Sequence, residues 1–315
     1  MTQFAFVFPG QGAQAIGMLN GFAGNPVVAQ TIAEANDALG FDLGGLIANG
    51  PKEEQDLTTN TQPIMLTASV AVYRAWIAAG GPAPQLVAGH SVGEYAALVA
   101  AGVIAFKDAV PLVRFRAQAM QEAVPVGQGG MAVILGLDAD TVRALCAEAA
   151  AQEPASVVEA VNFNEPTQIV IAGYNAGVER ACELTKARGA KRAMKLAVSA
   201  PFHSSLLQNA SDRLRERMAG ITFAAPRIDL INNVDVAILN DPQAIKDALV
   251  RQAAGAVRWV ETMQQFAERG ITQVIECAPS KVLIGMAKRI DARLVGESLS
   301  DQAALERVLG ALSAT

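Results

Sequence analysis

Ser91 stands between Gly89 and Gly93 in the segment VAGHSVGEYAALVAAG. G-x-S-x-G is the pattern of a nucleophile elbow, in which a strand turns sharply into a helix and leaves the serine exposed. Glycine on either side allows positive φ and a close approach of helix to strand. A serine hydroxyl is a poor nucleophile near neutral pH and needs a base within hydrogen-bond reach. The chain holds two histidines. His90 adjoins the serine at a strand end, where consecutive side chains leave on opposite faces, and is badly placed to take its proton. His203, in VSAPFHSSL, is the favoured base. No acidic motif near His203 offers an orienting carboxylate, but a carbonyl can also hold the imidazole tautomer. Acyl chemistry further needs two fixed N–H donors for the oxyanion, one of them usually from the residue after the nucleophile. Val92 is that residue, and Gln11, in the PGQGAQ loop after the first strand, is the natural second donor.

The segment VRFRAQAMQEA adds a cation. An arginine buried by such a helix requires an anionic partner, because an unpaired buried charge costs several kcal/mol. A guanidinium fork suits a carboxylate, so Arg116 points to an acidic acyl group. Arg114 fits a solvated face equally well, and spacing alone does not choose between the two.

Residues 11, 91, 116 and 203 need a scaffold that gathers them. The 315 residues are 51% hydrophobic and 5% aromatic, which suits a large α/β domain with a smaller insertion. A net charge of −5 argues against general binding to nucleic acid or an anionic membrane. Cys146, Cys182 and Cys277 are scattered without a CxxC pair and read as buried thiols of a reducing compartment. MTQFAFVFPGQG lacks the marks of a signal peptide, and AALVAAGVIAF is too short to span a bilayer. The expectation is a cytoplasmic protein that needs neither metal nor redox cofactor.

Phe4 to Phe8 reads as a strand, Gln62 to Ala79 as a helix, Pro84 to Ala88 as the strand into the elbow, and Val110 to Ala123 as a helix. Such alternation argues for a mostly parallel sheet. Near Gly127 the rhythm changes: MAVILGL, SVVEAVNF, TQIVIAGY and KRAMKLAV read as strands interleaved with two helices, the first capped by Asp138 or Asp140. β-α-β-β-α-β is the ferredoxin-like order, so residues 128–197 are expected to form an insertion between 1–127 and 198–315. Beyond it, RIDLINN, ITQVIEC and RLVGESL continue the larger sheet.

FPGQGAQ, GHSVGEYAALVAAG, the RxxxMQEAVP segment at Arg116, AVNFNEPTQIVIAG, SAPFHS, LVRQ and KVLIGMAKRI, in this order, resemble the malonyl-CoA:acyl carrier protein transacylases over the whole chain. The resemblance implies an α/β-hydrolase-like core with a ferredoxin-like insertion. It implies Ser91 as the acylated nucleophile, His203 as its base, Gln11 and Val92 as oxyanion donors, and Arg116 on the malonyl carboxylate. It also implies that the Gln252 main-chain carbonyl orients His203, and that Phe202 excludes an α-methyl group. Malonyl-CoA and a phosphopantetheinylated acyl carrier protein become the expected partners, with transfer by a ping-pong route. A malonate decarboxylase subunit or a free-standing polyketide acyltransferase is the alternative; an α/β-hydrolase esterase is disfavoured by Arg116 and the missing triad acid. ECAPSKVL departs from the family's glycine-rich turn at Cys277, Ala278 and Ser280, where no catalytic role falls. Carrier proteins of this family are acidic, so Lys186, Arg188, Lys191, Arg192 and Lys195, or Lys281, Lys288 and Arg289, are candidate docking groups.

Overall fold

The computed structural model describes residues 3–152, 156–198 and 200–313. Their strands, in chain order, are β1 (Phe4–Phe8), β2 (Leu86–Gly89), β3 (Gly129–Leu135), β4 (Val158–Glu165), β5 (Gln168–Tyr174), β6 (Arg192–Lys195), β7 (Asp229–Leu230), β8 (Gln273–Glu276) and β9 (Val295–Ser298). They form two sheets. One is parallel, in the order β7-β2-β1-β8-β9, and the other is antiparallel, in the order β4-β5-β3-β6.

A parallel sheet is covered on both faces, so its central strand carries no polar residue. In β1, FAFVF, the side chains alternate between two cores. Phe4, Phe6 and Phe8 enter a cluster with Trp76 and Leu98, whereas Ala5 and Val7 meet Trp259, Met263 and Phe266. Edge-to-face contacts fix the first side, with Phe6 5.5 Å from Trp76 and 6.1 Å from Tyr73 between ring centroids.

The antiparallel sheet lies within residues 129–195 and has the ferredoxin-like strand order. Ala132 and Ile134 of β3 face the helices Ala139–Gln152 and Asn175–Ala187, in a cluster with Val142, Ile171 and Val178. Met131, one residue out of phase, turns to the other face and packs with Met120, Phe202 and Leu207. That second cluster joins the small sheet to the helix Phe106–Glu122 and to the His203 segment. The β4 edge is closed as well: Val257 donates to the Val161 carbonyl at 2.8 Å and accepts from the Phe163 N–H at 3.0 Å. Among the described residues no strand pairs with the outer edge of β6.

Several boundaries differ from the sequence reading. β2 begins at Leu86 rather than Pro84, and β7 keeps two residues of RIDLINN. β6 keeps four residues of KRAMKLAV, with the Leu196 N–H still bonded to the Met131 carbonyl at 2.9 Å just beyond it. Asp138, not Asp140, caps its helix, accepting from the Thr141 N–H at 2.8 Å. The ECAPSKVL turn closes without glycine. Cys277 and Ala278 are fully buried there, and the Glu276 carboxylate accepts from the N–H groups of Leu283 at 2.9 Å and Ile284 at 3.1 Å.

Candidate active site

β2 ends at Gly89 and the helix Gly93–Ala100 follows. The turn between them puts Ser91 at φ 53°, a region that side-chain-bearing residues rarely adopt. This corrects the expected division of labour, since neither flanking glycine has positive φ. The glycines serve close approach instead. A Cβ on Gly89 would fall 2.0 Å from the Gly93 carbonyl oxygen, and one on Gly93 would fall 2.0 Å from the Phe8 oxygen. Asn233, just beyond β7, holds the turn from outside: its Oδ1 accepts from the Ser91 N–H at 2.8 Å, and its Nδ2 donates to the Gly89 carbonyl at 2.6 Å.

His203 also lies in the left-handed region, at φ 65°, and is 4% exposed. Its Nε2 is 2.7 Å from Ser91 Oγ, and its Nδ1 is 2.9 Å from the Gln252 carbonyl oxygen. An N–H donated to a carbonyl leaves Nε2 as the acceptor for the serine proton. Burial, reinforced by the positive charge of Arg116, holds the imidazole neutral down to about pH 3. His90 points elsewhere, with Nε2 2.8 Å from Asn164 Oδ1.

Arg116 is 1% exposed and lies beside Ser91. Its guanidinium donates to Ser91 Oγ at 3.1 Å, to Gln62 Oε1 at 2.7 Å and to Gln252 Oε1 at 2.8 Å. Among the described residues no carboxylate pairs with it directly. Arg114 is half-buried, not on the fully solvated face that the sequence allowed for it. Its guanidinium lies 4.5 Å from the centre of the Phe41 ring, away from the serine.

Gln252 is fully buried and binds on all sides. Besides its contacts to His203 and Arg116, its Nε2 donates to the Ser91 carbonyl at 3.0 Å and to Glu94 Oε2 at 2.8 Å. Glu94 Oε2 also accepts from the Asn233 N–H at 3.1 Å. Burial raises the Glu94 carboxyl to about 7, although these two hydrogen bonds and the charge of Arg116 favour its ionised form. Gln11, Val92 and Phe202 line one pocket with Ser91, Arg116 and His203. Among the described residues the main-chain N–H groups of Gln11 and Val92 have no protein acceptor. The structure thus brings together all seven residues singled out in the sequence.

Glu94, Asn233 and Gln62 escaped the sequence reading. Glu94 did carry a signal, an acid within the apolar run GEYAALVA. Asn233 had a weaker one, as a polar residue beyond the carboxyl end of a parallel strand, where α/β sites form. The two free amide N–H groups, the paired imidazole and a cation within reach of the serine make a site for acyl transfer.

The chain matches the acyl transferase domain family over residues 5–313. It is 51% identical over 310 residues to the malonyl CoA-acyl carrier protein transacylase of Salmonella typhimurium, covering 98% of this chain and 99% of that one. This chain belongs to that family. Among solved structures, the acyl-carrier-protein S-malonyltransferase of Burkholderia pseudomallei is 66% identical with a TM-score of 0.96, covering 98% of this chain and 100% of that one. A malonyl-transacylase solved in complex with a type II polyketide synthase acyl-carrier protein is 50% identical, with a TM-score of 0.96 and the same coverage.

Proposed function

We propose that this protein moves a malonyl group from malonyl-CoA to the phosphopantetheine thiol of an acyl carrier protein, in fatty-acid synthesis, through a malonyl ester of Ser91. One observation carries the choice of acyl group. Arg116 is a buried cation 3.1 Å from the nucleophile whose partners are two amide oxygens and a hydroxyl, so it can accept a substrate carboxylate.

His203 Nε2 takes the hydroxyl proton as Ser91 Oγ attacks the thioester carbon, while the N–H groups of Gln11 and Val92 receive the oxyanion. Collapse breaks the C–S bond, and the proton passes from the imidazolium to the departing CoA thiolate. The carrier thiol then gives its proton to His203 and attacks the ester carbon. Collapse of that second intermediate returns the serine hydroxyl. Phe202, packed against Met120 and Met131, narrows the pocket near the acyl carbon and disfavours an α-methyl substituent. Residues 1–127 with 198–315 form the unit that carries the nucleophile, and 128–197 the insertion that closes the pocket; two sheets with separate apolar clusters support this division. A cytoplasmic setting fits three buried, unpaired thiols, and no described helix is long and apolar enough to cross a membrane.

The likeness to a polyketide transacylase supports a second reading, in which the carrier serves polyketide assembly. Intact mass after mixing with malonyl-CoA tests the first half-reaction, and a malonyl adduct mapped to any residue but Ser91 overturns the assignment. Transfer rates to fatty-acid and polyketide carriers, compared side by side, separate the two readings.

A further inference from the structure

The Arg116 guanidinium and the Glu94 carboxylate do not touch; the Gln252 carboxamide spans them, accepting from Arg116 at 2.8 Å and donating to Glu94 at 2.8 Å. The orientation of that amide is therefore forced, since a flipped group would face N–H to guanidinium and oxygen to carboxylate. The same residue's carbonyl holds His203 at 2.9 Å. Glu94 itself is 1% exposed and anchored by the Asn233 N–H at 3.1 Å. A carboxylate directly on Arg116 would compete with the substrate, whereas one placed an amide away balances the charge and leaves the guanidinium available.

We propose that Glu94 is a positioning residue and the resident counter-charge of this site: acting through Gln252 it holds Arg116 and His203 in register, and it takes up a proton when a malonyl carboxylate reaches Arg116. This rests on the malonyl-transfer reading. The linkage follows from charge: two anions around one buried cation raise the proton affinity of the enclosed one, and coupling is reciprocal. Malonyl binding therefore strengthens as pH falls through about 7, the value to which burial raises Glu94. The other charged groups around Glu94 do not titrate there. Burial pushes Tyr95 up to about 12, and His203 stays neutral to about 3. Asp235 is lowered by its hydrogen bond to Arg251, which the same pair raises, and Arg116, although burial lowers it, is a guanidinium that keeps its proton in this range.

Calorimetry on Ser91→Ala protein, in two buffers of different ionisation enthalpy, counts protons taken up on binding near pH 7. Malonyl-CoA should take up a substantial fraction of a proton more than acetyl-CoA, which carries the same CoA phosphates. Equal counts overturn the proposal without touching the Ser91 adduct, which the intact-mass measurement reads independently on unaltered protein. In the Ser91 enzyme, KM for malonyl-CoA relative to acetyl-CoA should fall about ten-fold from pH 8.5 to 5.5, and Glu94→Gln should flatten that change. Glu94→Ala should lower kcat for both donors by roughly ten- to a hundred-fold, the loss expected of a charged hydrogen bond. Glu94→Gln keeps the acceptor for Gln252 and should recover most of that loss. An unchanged pH profile in Glu94→Gln, or full activity in Glu94→Ala, refutes the assignment.

Discussion

Arg116 and Arg114 stand two apart on one helix, and their surroundings decide their roles. Arg116 contacts Ser91, so on the malonyl-transfer reading Arg116→Ala leaves a malonyl carboxylate desolvated and unpaired. Truncation of this kind costs about 2–5 kcal/mol, or roughly thirty- to several-thousand-fold in transfer rate. Acetyl transfer involves no carboxylate and should hold or rise, inverting the acyl preference. Arg114→Ala should lower the melting temperature through the lost Phe41 contact, worth about 0.5–1 kcal/mol, and leave the preference alone. Equal losses on both acyl donors in Arg116→Ala would make it structural. His203 gives a second prediction, of opposite character. Its removal should slow Ser91 acylation by about 10²- to 10⁴-fold. In the intact enzyme the imidazole is protonated only as pH nears 3, so kcat/KM for acetyl-CoA should show no acidic limb from pH 8 to 5. A limb near 6.5 that persists in Glu94→Gln would mean a solvated imidazole.

At the level of elements, the elbow depends on how closely a helix start can approach two strand ends. The atoms that a Cβ at Gly89 or Gly93 would meet are backbone, at 2.0 Å, and cannot rotate aside. Overpacking of this kind costs about 1–3 kcal/mol or more, so Gly93→Ala should lower the urea midpoint and displace Ser91 from His203. Undiminished stability together with full acylation would show that the turn has slack. Asn233→Ala tests the other side of the turn: it strands the Ser91 N–H and the Gly89 carbonyl, each worth about 1–3 kcal/mol when buried without a partner. Slower acylation at unchanged malonyl-CoA KM is the expected signature.

Across the whole molecule the charge is −5, so an acidic carrier needs a local basic surface. β6 is the open edge of the small sheet. Lys191, Arg192 and Lys195 are exposed along it, and the chain runs on to Leu196 and Val198 at the pocket. Each basic group has one cation already paired, Lys195 with Glu179 and Arg289 with Glu165 at 2.8 Å. Charge reversal at Lys191 and Arg192 should raise the Michaelis constant for the carrier by about two- to five-fold per charge and leave that for malonyl-CoA unchanged. If that constant responds at Lys281 and Lys288 instead, the carrier docks on the other face.

The local features were legible in the chain alone. Strand and helix periods, the glycine-flanked serine and the scarcity of histidine pointed to Ser91 and His203, because each depends on residue type and short spacing. The PGQGAQ turn after the first strand and the ferredoxin-like order were legible for the same reason. What periodicity could not supply was direction and depth. Arg114 and Arg116 share one helix, and only packing shows which is buried against the serine and which lies over Phe41. Gln252 was reached through resemblance, but its side-chain links to the Ser91 carbonyl, 161 residues away, and to Glu94, 158 away, required the fold. Glu94 and Asn233 escaped because a buried polar group is recognised by its partners, and those partners meet only where the parallel strands end. Sequence determined which side chains could do the chemistry; the tertiary structure decided which charges lose water together, and hence how tightly each holds its proton.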